Sequence, residues 1–459
     1  MAYELNANGV PLYYSGSSTH WYSATSAGSL YGSSSNDSLY GDSSIAVTMF
    51  GGDGDDIYYL YSGKNKAFEY AGQGIDTINT WMDYKLPDNF ENLIVTGDKR
   101  FAFGNSLNNI ISGGSGSQTL DGFEGDDILK GGAGADTFIV TKGNGSDLIL
   151  DFGSDDLVRI GSYGFTSFDQ VKANMVQAGA NVRLNLSSSE SLVFANKTIG
   201  QFSASQFQLA IDKSHMHLSF SDDFDTLSLW NGSDGTWDSN FWWGKANGST
   251  LESQQQWFID TDYGPTKSAN PFSVEDGHLT ITAAKASTDI QPYINNYKYT
   301  SGLLTTHESF SQLYGYFEMR ADMPSNHGAW PAFWLLPEDG SWPPELDVIE
   351  MKGQEPNTLI QTAHSNATGQ HTQDRSNPAV ENTEGYHTYG LLWTDKELVW
   401  YFDDTEVVRT ATPADMHKPM YMLVNLGLGG MAGTPDLSSP AEMHVDYVNA
   451  YQLNNDWIV

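Results

Sequence analysis

Cysteine is absent from the 459 residues. That excludes disulfide staples, thiolate metal sites and a thiol nucleophile, so any attacking group is oxygen or nitrogen. Positive charge is scarce: 22 Lys and Arg stand against 57 Asp and Glu, a formal net charge of -35. Phosphate-rich partners would be repelled, so no nucleic-acid partner is expected, and cations are favoured. No stretch approaches the ~18 uninterrupted apolar residues of a membrane span, which argues against membrane insertion. The first residues, Met1-Ala2-Tyr3-Glu4-Leu5, form neither the basic nor the apolar segment of a cleaved signal, so any export is expected to proceed without one. Tryptophan is scarce in the first half: only Trp21 and Trp81 of the 13 fall in 1–212. This shift divides the chain into domains 1–212 and 213–459, a division its length allows.

What the first half does contain is a nine-residue period. Windows starting at Gly104, Gly113, Gly122 and Gly131 follow one another without a gap. In the last two, Gly125 and Gly134 stand fourth, Asp127 and Asp136 sixth, and Leu129 and Phe138 eighth. Isolated copies carry Asp56 and Asp76, and a worn copy carries Asp37. Glycine permits tight turns, the sixth-position carboxylate and turn carbonyls suit Ca²⁺, and the eighth residue points into a shared core. The physical reading is a parallel β-roll. A flexible Gly/Asp linker would have no reason to keep an apolar residue at every eighth position. Gln118 replaces Asp in one window, so that turn is expected to lack a charged ligand. Residues 160–212, with Phe165, Phe168, Val171, Leu192 and Phe194, read as a short helix and strands that close the roll. The repeats resemble the RTX family, calcium-binding modules of proteins exported by bacterial type I secretion machinery. That resemblance implies a secreted, extracellular protein, and the terminal Asp456 to Val459 are compatible with an export signal.

From Phe220 onward, short apolar-polar alternations such as Leu279-Thr280-Ile281-Thr282-Ala283 are broken by Gly, Asn, Asp and Pro. They predict an all-β sandwich. One run stands out: Glu345-Leu346-Asp347-Val348-Ile349-Glu350 places three carboxylates in an otherwise apolar strand. On a regular strand Glu350 would face away from Glu345. A β-bulge at Val348-Ile349 would bring all three to one face. The outer pair would then lie roughly 13 Å apart at the backbone, so only converging side chains could reach the ~5–5.5 Å of a retaining glycosidase. A solvent-facing strand remains the alternative on spacing alone.

Glu345 to Glu350 resembles the bulged signature of glycoside hydrolase family 16. Around it, Tyr314 to Arg320, Gly328 to Pro337, His387 to Trp393, Trp400 to Asp403, Asn425 to Gly430 and Val445 to Tyr451 resemble that family's strands, in order. The resemblance implies a β-jelly-roll and a retaining endo-β-glycanase with Glu345 as nucleophile, Glu350 as general acid/base and Asp347 tuning the nucleophile. It also implies a structural Ca²⁺ at Asp223, Gly277 and Asp446, although an Arg customary in the last strand is missing. Trp330 and Trp334 are candidates for stacking on sugars, and His364 for bonding a hydroxyl or filling the core. Glu318 and Arg320 are candidates for a mutual ion pair, or either for reaching the groove. His215/His217 and His364/His371 lack carboxylate companions at metal spacing, which argues against zinc. The whole arrangement is similar to rhizobial succinoglycan depolymerases, so the expected polysaccharide substrate is a succinoglycan-like exopolysaccharide, with β-1,3 or mixed β-1,3/1,4-glucan second. A lectin or a polysaccharide lyase are the rival readings.

Overall fold

The computed structural model describes residues 20–381 and 383–454; the candidate export segment Asp456 to Val459 lies outside them. The chain forms two compact units, 1–210 and 211–459. Among the described residues no helix is long and apolar enough to cross a membrane.

The first unit is a parallel solenoid whose coils mostly advance by 18 to 20 residues, with a shorter step of 15 from Ile78 to Leu93. Two nonapeptides make one coil, so successive strands alternate between opposite sheets. One apolar residue per coil fills the same inward position, in the register Leu39, Tyr58, Ile78, Leu93, Ile111, Leu129, Ile149 and Phe194. All eight are fully buried. A second column, Ala102, Leu120, Phe138, Val158 and Phe207, runs along the opposite sheet. The fourth-position glycines are sterically required. Gly125 and Gly134 have φ of +130° and +129°, and a Cβ there would lie 2.6 and 2.3 Å from the carbonyl oxygens of Leu107 and Gly116. The stack closes at the helix Phe168–Ala173, capped by Ser167, and the antiparallel strands Met175–Ala178, Asn181–Asn185 and Ser191–Phe194. Switching to antiparallel pairing ends the repeat.

The second unit packs two antiparallel-rich sheets face to face. A ten-stranded sheet has the long strand Ala441–Leu453 near its centre, flanked by His278–Lys285 and Gly315–Asp322. The other sheet contains β1 (Leu303–Thr305), β2 (Ala329–Pro337), β3 (Glu345–Glu350), β4 (Ile360–Ser365), β5 (Thr372–Ser376) and β6 (Met420–Leu428), in spatial order β1-β6-β2-β3-β4-β5. Period-two alternation sorts β2: Ala329, Phe333 and Leu335 join the core between the sheets, while Trp330, Ala332, Trp334 and Leu336 face the groove. Phe317 and Met319 meet that core from the ten-stranded sheet.

The outer surface of that sheet departs from expectation. Glu318 pairs with Lys213 Nζ at 2.6 Å and accepts a hydrogen bond from the Tyr451 hydroxyl at 3.0 Å, while Arg320 pairs with Asp446. The expected Glu318–Arg320 bridge is therefore replaced by two separate pairs. Lys213 lies far upstream in sequence, which hid it.

Candidate active site

Strand β3 carries a bulge. Phe333 pairs with Ile349 and Trp334 with Asp347, so Val348 is skipped on one side. On the other side Asp347 pairs with Thr362 and Glu350 with Ile360, so two residues oppose one. Consequently Val348 and Ile349, adjacent in sequence, are both fully buried in the core. Glu345, Asp347 and Glu350 all line one groove of about 730 Å³.

Indole N–H groups hold the outer glutamates. Trp330 Nε1 donates to Glu350 Oε1 at 2.8 Å and Trp342 Nε1 to Glu345 Oε2 at 2.5 Å. The backbone carbonyl of Asp347 accepts from Trp400 Nε1 at 2.8 Å, which ties the bulge to the opposing sheet. His364, opposite Glu345 on β4, places Nε2 3.2 Å from Asp347 Oδ2 and 3.8 Å from Glu345 Oε1. The pairing of β3 with β4 thus supplies the carboxylate companions that sequence spacing did not show. His364 neither fills the core nor stands alone, and its Nδ1 meets His371 Nε2 at 3.0 Å.

Burial is the first cause of the shift at every carboxyl. It pushes Glu345 up to about 8, with the charge of Asp347 adding to the rise and His364 and Trp342 opposing it. Glu350 is pushed up to about 7, against the Trp330 hydrogen bond. Asp347, the most enclosed, lies well above the usual carboxylate range. Three anions in one desolvated groove would repel strongly, so the cluster retains protons at neutral pH.

The two tryptophans proposed from sequence differ in setting. Trp330 is half-buried beside Glu350, whereas Trp334 is buried, with Nε1 donating to Asn425 Oδ1 at 2.8 Å. Sequence reasoning missed Trp242, Trp243 and Trp342, which line the groove with 49%, 45% and 58% exposure. Their adjacency in loops carries no periodic signal.

In the first unit the sixth-position residues form ladders. The amides of Asp37, Asp56, Asn109, Gln118, Asp127 and Asp136 donate to Asp56, Asp76, Asp127, Asp136, Asp147 and Asp156 one coil on. Each ladder bond uses Oδ1, and Asp156 also accepts from the Gly153 amide through Oδ2. Oδ2 of Asp56, Asp127 and Asp136 is buried without a partner, and Asp56, Glu69 and Asp76 place ligand atoms within 4.8 Å of one another. Orphaned hard oxygens on glycine turns fit Ca²⁺. Gln118 fills its turn as a neutral group, with Nε2 donating to Gly97 O at 2.8 Å. Burial raises Asp136 to about 6, Asp56 to about 7, Asp76 to about 8 and Asp127 to about 9.

The residues expected to hold calcium in the second unit are differently engaged. Asp446 is bound by Arg320 and lies 3.6 Å from His278, and Asp223 is exposed. At Gly277 the nearest side chain to an added Cβ is Asp225, at 3.8 Å. Among the described residues neither Asp223 nor Asp446 joins a group of three close acidic or histidine ligands.

Comparison with known proteins matches this architecture. Residues 27–44, 46–66 and 103–138 match the RTX calcium-binding nonapeptide repeat, and residues 259–449 match glycosyl hydrolases family 16. Over its full length the chain is similar to two proteins of Rhizobium meliloti (strain 1021). It is 60% identical to endo-1,3-1,4-beta-glycanase ExsH, covering 99% of this chain and 98% of that one. It is also 60% identical to endo-1,3-1,4-beta-glycanase EglC, covering 98% of each. The solved structure of SCLam, a non-specific endo-beta-1,3(4)-glucanase, is 26% identical and covers 54% of this chain and 95% of that one, with a TM-score of 0.47. With near-complete coverage of relatives at this identity, and three carboxylates gathered by a bulge in a tryptophan-lined groove, the chain belongs to glycosyl hydrolases family 16 and is a glycoside hydrolase carrying RTX repeats.

Proposed function

We propose that the protein is a retaining endo-β-glycanase of the 1,3-1,4 type, secreted by a type I system and acting on a succinoglycan-like exopolysaccharide. The single observation that carries the chemistry is the bulge that turns Glu345, Asp347 and Glu350 onto one groove wall. In the first step a carboxylate oxygen of Glu345 attacks the anomeric carbon as the bond to the leaving sugar breaks, and Glu350 gives its proton to the departing oxygen. In the second, Glu350 takes a proton from water, the water oxygen attacks the same carbon, and Glu345 is released.

The proton inventory of the cluster fits these roles once Asp347 is counted. In the free groove Glu345 is lifted further than Glu350, the reverse of what attack requires. A proton held on Asp347 removes the neighbouring charge that raises Glu345. Trp342 and His364 both then favour the anion on Glu345. Burial and the charge of Glu345 keep the proton on Glu350 against the hydrogen bond from Trp330. A lectin would gain nothing from burying these three acids together.

The similarity to the two rhizobial glycanases supports the linkage type, and the RTX repeats support calcium binding and type I export. Asp56, Asp127 and Asp136 would hold calcium in the roll through the orphaned oxygens, and Asp76 through its place beside Asp56 and Glu69. Bound calcium would offset the stacked negative charge. The test is a panel of purified β-glycans with reducing ends measured for the wild type and Glu345→Gln. Internal cuts by the wild type alone are expected; equal activity of the variant would contradict the reading.

A further inference from the structure

The groove belongs to a protein of net charge -35 and contains three carboxylates at its centre. Among the described residues that line it, Arg375 is the only Lys or Arg. Strand pairing fixes its place: Asp347 lies opposite Thr362, and Thr362 opposite Arg375. Residues directly paired across a sheet share a face, so Arg375 stands two strands from Asp347, roughly 10 Å away at the backbone. That distance is within reach of a sugar, or a substituent on a sugar, next to the one being cleaved.

The guanidinium is not committed to a structural ion pair. Nε donates to Asn377 Oδ1 at 3.3 Å and Nη2 to Met431 Sδ at 3.3 Å. Both partners are neutral and the Asn377 contact is long, so they steer the group without neutralising it. The side chain is exposed on the edge strand β5, which keeps its donors available. Its positive field reaches the centre of the groove and lowers the pKa of both Asp347 and Glu350. A planar fork of donors held by weak neutral contacts beside a polysaccharide groove is suited to a carboxylate.

We propose that Arg375 is a specificity residue that binds a carboxylate-bearing substituent of the glycan next to the cleavage point, so that the groove selects acidic over neutral chains. This rests on the endo-glycanase reading above and names the feature of the substrate that the groove reads. Arg375 also answers the electrostatic difficulty of an acidic enzyme acting on an acidic polymer, by placing the compensating charge where the chain must lie.

The test uses the full-length protein and succinoglycan, in its native form and after chemical removal of its carboxylate-bearing substituents. For each form kcat/KM is measured with the wild type, Arg375→Gln and Arg375→Lys, with melting temperatures to confirm folding. The expected result is a preference of the wild type for the native form. That preference, expressed as the ratio of the two kcat/KM values, should fall by about tenfold or more in Arg375→Gln, the loss of a charge-assisted contact. Arg375→Lys should retain part of it, since it keeps the charge without the fork. An unchanged ratio in Arg375→Gln would overturn the proposal, as would a wild type with no preference. Equal losses on both forms would make Arg375 a positioning residue for the carboxylates and also overturn it, while the glycanase reading would stand. A wild type that cuts neither form nor any other β-glycan would refute the glycanase reading itself.

Discussion

Replacing Trp330 by Phe would remove one hydrogen-bond donor from Glu350 while keeping an aromatic ring on the groove wall. In the structure Trp330 Nε1 donates to Glu350 Oε1 at 2.8 Å, and this bond opposes the rise in pKa that burial imposes. A hydrogen bond to a charged acceptor contributes roughly 1.5–3 kcal/mol. Because one pKa unit corresponds to about 1.4 kcal/mol, its loss should raise the pKa of Glu350 by about 1–2 units. The sign follows from the donor: an N–H stabilises the anion, so without it the carboxyl holds its proton to higher pH. With Glu350 as the acid of the proposed mechanism, its proton sets the alkaline limb of kcat/KM in the free enzyme. That limb, near pH 7 in the wild type given the value of about 7 for Glu350, should move upward in Trp330→Phe. The assay is a pH profile of kcat/KM on a soluble β-glucan for both proteins, with melting temperatures showing that each is folded. A limb that stays in place or moves to lower pH would refute the assignment of Glu350 as acid or the role given to Trp330.

The other expectations follow from the same geometry. Glu350→Ala should hydrolyse natural polysaccharide very slowly yet keep its first step on substrates with a good leaving group, and Asp347→Asn should be the mildest of the three carboxylate variants; burst kinetics with an aryl glycoside checks this. For chelated protein the sign is opposite to that of ordinary salt-bridged acids. The ladder carboxyls have raised pKa values of about 6 to 9, so their protonated form belongs to the fold. Stability of the calcium-free roll should therefore be highest below the ordinary Asp range of about 4 and fall as pH rises from there to about 9, and calcium should raise the melting temperature most at alkaline pH. Thermal melts at pH 5.5 and 9, with and without calcium, measure it; equal melting at both pH values with chelator would contradict the ladder account. Export should require a type I transporter, and secretion from a host lacking that transporter would count against it.

The roll was legible in sequence because its period writes each contact locally. Leu129 and Phe138 stand at the eighth position of consecutive windows and enter opposite columns of the core. The bulge was legible for a similar reason: Val348-Ile349 breaks an alternation that the flanking carboxylates otherwise keep. What remained hidden depends on strand pairing between distant segments. His364 reaches Asp347, and Arg375 faces the groove, only through the registers of β3 with β4 and β4 with β5. Trp342 donates to Glu345 from a proline-rich turn, where periodicity says nothing about side-chain direction. The pairing of Asp446 with Arg320 was hidden in the same way, because Arg320 sits on a strand more than a hundred residues earlier.

The most direct test of the central claim is the anomeric configuration of newly released product, followed by proton NMR during the first minutes of β-glycan hydrolysis. Double displacement through Glu345 inverts the anomeric carbon twice, so the new reducing end should appear first as the β-anomer and only then equilibrate. An initial α-anomer would mean a single displacement by water and would contradict Glu345 as the nucleophile.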